Sequence, residues 1–288
     1  MEGRILLLHA LTPLHSGIGQ AVDVIDLPIA REKATTWPYL PGSSIKGVLR
    51  DSFFADSPLG TEAFGPETKN ADDSAGSLLF CDGRLLALPV RAYYGTFAWV
   101  TCPAVLTRLR RDMAGAGMAA LPALTAKPDF TQVGVCKDSA LRGTGSDIFL
   151  EDYDLKPLPV DVTPCAQALA QRIFATTDEQ TAFTQRFAVV NDDLFTFLAK
   201  NATEITARIA IEEESKTVKA GALWYEESVP AEAIFWALLL AQPRGKTTAK
   251  SLFDVLQLHD TLLQLGGHAG VGRGVMRARF SADGGGQR

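Results

Sequence analysis

The chain lacks the residue patterns of several large function classes. Its four cysteines, Cys81, Cys102, Cys136 and Cys165, are scattered with no C-x-x-C pair. That excludes a zinc ribbon or dithiol redox motif and reads as reduced thiols in a cytoplasmic protein. Of the four histidines none stands in H-x-H or H-E-x-x-H spacing, so no structural zinc motif is present. Long apolar runs are missing as well. The longest, VPAEAIFWALLLA at 229–241, contains Glu232, and a membrane span needs about 20 apolar residues. MEGRILLLHAL alternates like a strand and lacks the charge and cleavage pattern of a signal peptide. An excess of positive charge is also absent: the net charge is −5, unlike a bulk nucleic-acid binder. A polyanion would have to be met by local patches. From Gln242 to Arg288 seven Lys and Arg face three Asp and Glu, whereas from Lys200 to Glu232 four face seven.

What is present is a core. With 288 residues, 47% of them apolar, the chain can fold as one large domain or two small ones. RILLLHAL (4–11) reads as a buried first strand. A glycine-bearing loop, TPLHSGIGQ, and an extended stretch, VDVIDLPI, lead to a helix over about 43–54. SLLFCDGRLLALPV (77–90) reads as a hairpin turning at Asp82–Gly83, and GTFAWVT (95–101) as a strand. CPAVLTRLRRDM places Pro103 at the first position of a helix. Residues 113–170 mix small residues, prolines and short extended pieces, the composition of an insertion outside the core. TEITARIAIEEESKTVKAGALWYEE (203–227) forms a long hairpin turning near Glu214–Lys216. A helix over about 247–264 precedes LGGHAGVGRGVMRARF, a glycine-rich loop running into a final strand. Helices interleave with strands but antiparallel hairpins dominate, which gives an α+β fold with ferredoxin-like units.

Several candidate motifs fail on spacing. GKTT at 245–248 would need a glycine five residues before Gly245 to be a Walker A loop, and Leu240 stands there. GIGQAV at 17–22 has Val22 where a dinucleotide fingerprint needs its third glycine. The acidic cluster Asp147, Glu151, Asp152 and Asp154 fits a solvated loop or a cation site. Three features remain. LPGSSIKGVLR starts a helix with Ser43 and Ser44, a serine cap, and stacks Lys46 and Arg50 on one face, a combination suited to phosphate. GHAGVGRGVMRAR combines Gly270, Gly272 and Gly274 with Arg273, Arg277 and Arg279, and no acid occurs across 264–280. Its glycines allow close backbone approach, and its arginines grip phosphate bidentately. Asp26 and His15 lie in the first loop region beside Gly17, Gly19 and Pro28. An aspartate there can ligate a divalent ion or act as a base, and a histidine can shuttle a proton. Taken singly, each feature also fits a capped surface helix, a basic connection or a polar loop. Two phosphate-suited elements in one chain point to a polynucleotide.

TPLHSGIGQAVDVIDLPIARE, LPGSSIKGVLR and the terminal GVGRG together resemble the RAMP superfamily of CRISPR proteins. CDGRLLALPVRAYYGTFAWVTCPAVLTRL, VVNDDLF and RIAIEEESKTVKAGALWYEESVP are similar to one branch, the major backbone subunits of type III-B (Cmr) effector complexes. The resemblance implies an RRM-like palm, with copies stacked head to tail on a guide RNA beside other subunits of the complex. It also implies a hairpin thumb, either 203–227 or part of 113–170, that kinks the guide–target duplex at regular intervals. By motif, Ser43, Ser44, Lys46 and Arg50 would hold guide phosphates, with Gly270, Gly272, Arg273 and Gly274 against the same strand. Asp26 would be the residue that cuts complementary target RNA, with a divalent cation, Mg2+ or Mn2+, as cofactor. His15 and Glu227 are further candidates for that chemistry. No RNP-like aromatic string is present, so guide binding would rest on backbone contacts and shape. A non-catalytic guide-binding scaffold and the type III-A counterpart are the alternatives.

Overall fold

The computed structural model describes residues 1–19, 25–54, 57–66, 75–212 and 218–281. The first strand, β1 (Glu2–Ala10), is buried from Ile5 onward. Covered on both faces, it carries a continuous apolar run instead of an alternating one. It pairs antiparallel with β12 (Ile234–Ala241) on one side and β14 (Val275–Phe280) on the other. The longest apolar stretch of the sequence is therefore an inner strand of the sheet. Among the described residues no helix is long and apolar enough to cross a membrane.

β3 (Leu78–Phe80) and β4 (Gly83–Arg91) both pair with β12, at successive places along it. This corrects the hairpin expected at Asp82–Gly83, where the chain steps along one neighbour instead of reversing. The Asp82 carboxylate accepts from the Gly42 N–H at 2.8 Å. β4 does form a hairpin with β5 (Phe97–Thr101). The sheet continues through β9 (Phe187–Val190), β6 (Gln132–Val135), β8 (Tyr153–Pro157) and β7 (Ile148–Leu150). At its other edge β13 (Thr261–Gln264) flanks β14, and β2 (Tyr39–Leu40) pairs with β4, making a twelve-stranded sheet. Only β5–β9 and β6–β8 are parallel pairs among its ladders, in keeping with the expected α+β class. The helices are α1 (Gly42–Phe53), α2 (Pro58–Phe64), α3 (Pro103–Gly115), α4 (Thr163–Ile173), α5 (Thr177–Arg186), α6 (Asp192–Asn201) and α7 (Ala249–Asp254). Pro103 heads α3 as expected.

Two further expectations are corrected. Residues 113–170 are not outside the core: they supply β6, β7, β8 and the start of α4, with Val133, Val135, Ile148, Leu150 and Leu155 buried. Their strands are too short for periodicity to distinguish them from a surface insertion. The helix expected over 247–264 is six residues long. Gln257 and Asp260 take positive φ, which ends helical geometry, and Thr261 begins a strand.

The long hairpin stands apart from this sheet. β10 (Glu204–Ile211) and β11 (Val218–Ser228) form a two-stranded sheet of their own. β10 alternates exposed and half-buried residues with none fully buried, and Ile205, Ile209 and Leu223 are exposed. The turn expected near Glu214–Lys216 lies outside the described residues.

Candidate nucleic-acid interface

Five consecutive residues at the root of the hairpin, Tyr225 to Val229, fasten the other candidate elements in order. Leu14 and Val229 exchange two backbone hydrogen bonds of 2.8 Å each. The Leu27 N–H donates to the Tyr225 carbonyl at 3.1 Å, and the Glu227 N–H donates to the Leu27 carbonyl at 3.0 Å. Both arms of the first loop are thus stitched to the end of β11.

This stitching sets the side chains. Asp26 is exposed, and its Oδ2 accepts from the Tyr225 N–H at 2.7 Å. The backbone donor fixes one carboxylate oxygen of this exposed side chain. His15 is buried, with Nδ1 2.7 Å from the Glu227 carbonyl oxygen. A carbonyl can only accept, so Nδ1 carries a proton and donates it there. Gly17 packs against it: a Cβ there would come within 2.4 Å of Nε2, so a larger residue would displace the ring.

Successive strand residues point to opposite faces, so Glu226 and Glu227 serve different surroundings. Glu227 is 3% exposed. Its Oε1 accepts from the Arg31 guanidinium and from the Thr203 hydroxyl, the latter at 2.8 Å, while Oε2 accepts from the Ile29 N–H at 3.1 Å. Arg31 also reaches the Ala199 carbonyl at 2.9 Å, so this carboxylate ties the first loop, the end of α6 and the hairpin root together. Glu226 is fully buried on the other face, its Oε2 2.8 Å from Nε2 of His268 and 3.5 Å from Nε of Arg208.

The glycine-rich loop closes over the same root. Gly274 has φ +74°, and a Cβ there would lie 1.9 Å from the Leu265 carbonyl, so only glycine fits. Its N–H donates to the Pro13 carbonyl at 2.9 Å, and the Gly267 N–H donates to the His15 carbonyl at 3.0 Å. Arg273 donates to the Ser228 hydroxyl at 2.9 Å. Gly270 and Gly272 face open space. The His268 and His15 rings lie 5.8 Å apart. Asp26, His15, Glu227 and Arg273, nominated from distant parts of the sequence, therefore meet at one hairpin root.

The α1 helix forms a second surface. The expected serine cap is corrected: Pro41 is the N-cap and has no capping side chain, and the carboxylate at the helix start comes from Asp82. Ser43 and Ser44 are exposed in the first turn, and the Gly42 N–H is already occupied by Asp82. An anion placed here would meet side chains more than the helix end. Gly42 itself is forced, because a Cβ would meet the Phe80 carbonyl at 2.3 Å. Ser43, Lys46 and Arg50 line an open cleft with Phe64, Phe80 and Arg244. Burial, and then the charge of Arg50, hold the Lys46 ammonium below the usual lysine range. Arg50 donates to the Pro66 carbonyl at 2.9 Å and stacks 4.7 Å over the Phe54 ring. A phosphate between the two cations would relieve both penalties on Lys46.

Among the described residues no group of three or more His, Cys, Asp or Glu side chains could hold a metal by itself, the acidic loop at 147–154 included. Among the described residues, Asp26 fits a divalent ion as a single carboxylate sharing the ion with substrate phosphates, the usual habit of Mg2+. Glu226, His268, Arg31 and Ser228 were not among the residues expected from sequence. The available signal was the adjacent pair Glu226–Glu227 in a strand, which must place one carboxylate on each face.

The RAMP superfamily model matches residues 7–277. The CRISPR system Cmr endoribonuclease Cmr4 of Pyrococcus furiosus is 33% identical, covering 96% of this chain and 95% of that protein. The CRISPR system CMR subunit Cmr4 of Saccharolobus solfataricus is 23% identical, covering 96% of each. The crystal structure of oligomeric Cmr4 from Pyrococcus furiosus matches with a TM-score of 0.78 at 26% identity over 98% of both chains. The chain belongs to the RAMP superfamily, among its Cmr4 proteins.

Proposed function

We propose that this chain is the repeating backbone subunit of a type III-B RNA-guided effector complex, and the subunit that cuts complementary target RNA. One observation carries the reading. An exposed carboxylate, a buried imidazole and an arginine-bearing glycine loop are joined at one hairpin root, in a chain 33% identical to a named Cmr endoribonuclease. Copies stack head to tail along guide RNA with other subunits of the complex, in the cytoplasm, where its four free cysteines remain reduced. The protein holds backbone and shape, and base pairing reads the target. A non-catalytic scaffold is the alternative, and the exposure of Asp26, with its carboxylate held by the Tyr225 N–H, favours the nuclease.

In this reading Ser43, Ser44, Lys46 and Arg50 hold guide phosphates, and Gly270, Gly272, Arg273 and Gly274 lie along the same strand. The β10–β11 hairpin is the thumb. Asp26 acts at the scissile phosphate and would hold a divalent cation, Mg2+ or Mn2+, together with phosphate oxygens. When bound, that cation supplies charge neutralisation at the non-bridging oxygens. His15 serves as a proton carrier in the first loop. Glu227 keeps that loop and the hairpin root in register through its three hydrogen bonds.

The test is to incubate the assembled complex with end-labelled complementary RNA. Products at a constant interval are expected with Mg2+ or Mn2+, and none after EDTA. No cutting under either condition would contradict the nuclease reading, and undiminished cutting in EDTA would remove the cation from it. Guide binding is tested separately by Lys46→Ala and Arg50→Ala. Each lost phosphate contact should lower the log–log salt slope of guide binding by about 0.7. An unchanged slope would show that this helix faces a protein neighbour instead.

A further inference from the structure

Glu226 is a fully buried carboxylate with a function still to be found. Neither of its oxygens receives an aligned hydrogen bond among the described residues, although a buried charge is costly unless it is paired. Its nearest partners are cations or potential cations on two other elements: Arg208 across the hairpin at 3.5 Å, and His268 on the glycine-rich loop at 2.8 Å. A carboxylate oxygen at that separation can face only a protonated ring nitrogen, so Nε2 of His268 carries a proton and Nδ1 is directed away. The backbone of His268 is held at φ +64°, a conformation that non-glycine residues adopt at a cost and that clusters at functional sites. The side chain is 35% exposed, whereas His15, 5.8 Å from it, is buried. Of the two imidazoles at the hairpin root, His268 is the one that a bound RNA can reach. An imidazole held beside a carboxylate is an arrangement that acid–base catalysis uses.

We propose that His268 is the general acid of target cleavage and that Glu226 is its positioning residue. The proposal rests on the reading that this chain cuts RNA. In the step, the target 2′-oxygen forms a bond to phosphorus as its proton leaves to a base. The bond from phosphorus to the 5′-oxygen breaks, and that oxygen takes the Nδ1 proton of the His268 imidazolium. The products are a 2′,3′-cyclic phosphate and a 5′-hydroxyl. The ring is left neutral, with its proton kept on Nε2 beside Glu226, and solvent restores the Nδ1 proton. Among the described residues, the titratable groups beside His268 are Glu226 from β11 and His15 from the first loop; Arg208 from β10 lies next to Glu226, and Arg273 follows in the same loop with its guanidinium on Ser228.

The test uses the assembled complex and two target RNAs, one ordinary and one with sulfur replacing the 5′-oxygen at the cut linkages. A thiolate leaves without needing a proton, so loss of a general acid is rescued on that substrate alone. His268→Asn is the variant of choice, since asparagine tolerates positive φ and presents a non-titrating amide at the place of the ring Nδ1. It should slow single-turnover cleavage of ordinary RNA on the order of 100-fold or more and cut the sulfur substrate at close to the wild-type rate. Glu226→Gln should show a smaller loss, about tenfold, with the same rescue. Equal slowing on both substrates at normal guide and target binding would make His268 purely structural and overturn the assignment. Unchanged cleavage of ordinary RNA would also overturn it. A wild-type complex that cuts neither substrate would instead defeat the nuclease reading itself, and this assignment with it.

Discussion

Asp26→Ala should abolish target cutting in the assembled complex while guide and target binding stay close to wild type. A loss of at least about 1,000-fold is expected, which corresponds to roughly 4 kcal/mol of barrier. The effect should be local. Asp26 is exposed and, among the described residues, makes one hydrogen bond, to the Tyr225 N–H, and losing such a bond costs about 1 kcal/mol of stability. Asp26→Asn sharpens the result. The amide oxygen can still accept from Tyr225, so the loop keeps its anchor while the negative charge is gone. If charge at the scissile phosphate is what matters, Asn and Ala should be equally inactive. Recovery of activity by Asn would mean that Asp26 matters for anchoring the loop. Single-turnover cleavage measured beside target binding separates the two.

Glu227→Ala should have the opposite signature, a large loss of stability together with loss of activity. Its carboxylate is buried and holds Arg31, Thr203 and the Ile29 N–H. Removing one partner of a buried ion pair costs about 3 to 5 kcal/mol, because the remaining charge is stranded. For a chain of this size each kcal/mol moves the melting temperature by roughly 3 °C, so a fall on the order of 10 °C is expected. Thermal unfolding of the isolated subunit, with no RNA present, reads this directly. Replacing both partners, Arg31→Met with Glu227→Leu, should recover part of the stability, because no unpaired charge is left behind. A Glu227→Ala protein as stable as wild type and inactive only in cleavage would make Glu227 a catalytic residue.

The parts of the fold legible in the sequence are those where one local pattern decides. The buried run of β1, the Pro103 start of α3 and the β10–β11 hairpin each carry their signal within about ten residues. The run at 247–264 misled because helix and edge strand share the same apolar spacing there, and the break comes from positive φ at Gln257 and Asp260, neither a glycine. Asp82–Gly83 misled because the turn chemistry is genuine while the strands it joins share a third strand as partner. In the candidate site, the residue types that carry chemistry on their own, Asp26, His15 and the arginine of a glycine loop, were legible. Glu226 and His268 were not. Each is ordinary in its own segment and acquires meaning only from a contact across 42 positions that no local pattern encodes. The hairpin root is where such contacts converge, and it explains why residues from 14 to 274 act as one unit.

The most direct measurement mixes wild-type and Asp26→Ala subunits in one assembly on a single guide. If each copy cuts the target opposite itself, every band of the product ladder should persist and each should weaken in proportion to the fraction of Asp26→Ala subunits. A wild-type complex giving one band or none, or a mixed complex whose ladder stays at full strength until nearly all subunits are replaced, would contradict the repeating-nuclease reading.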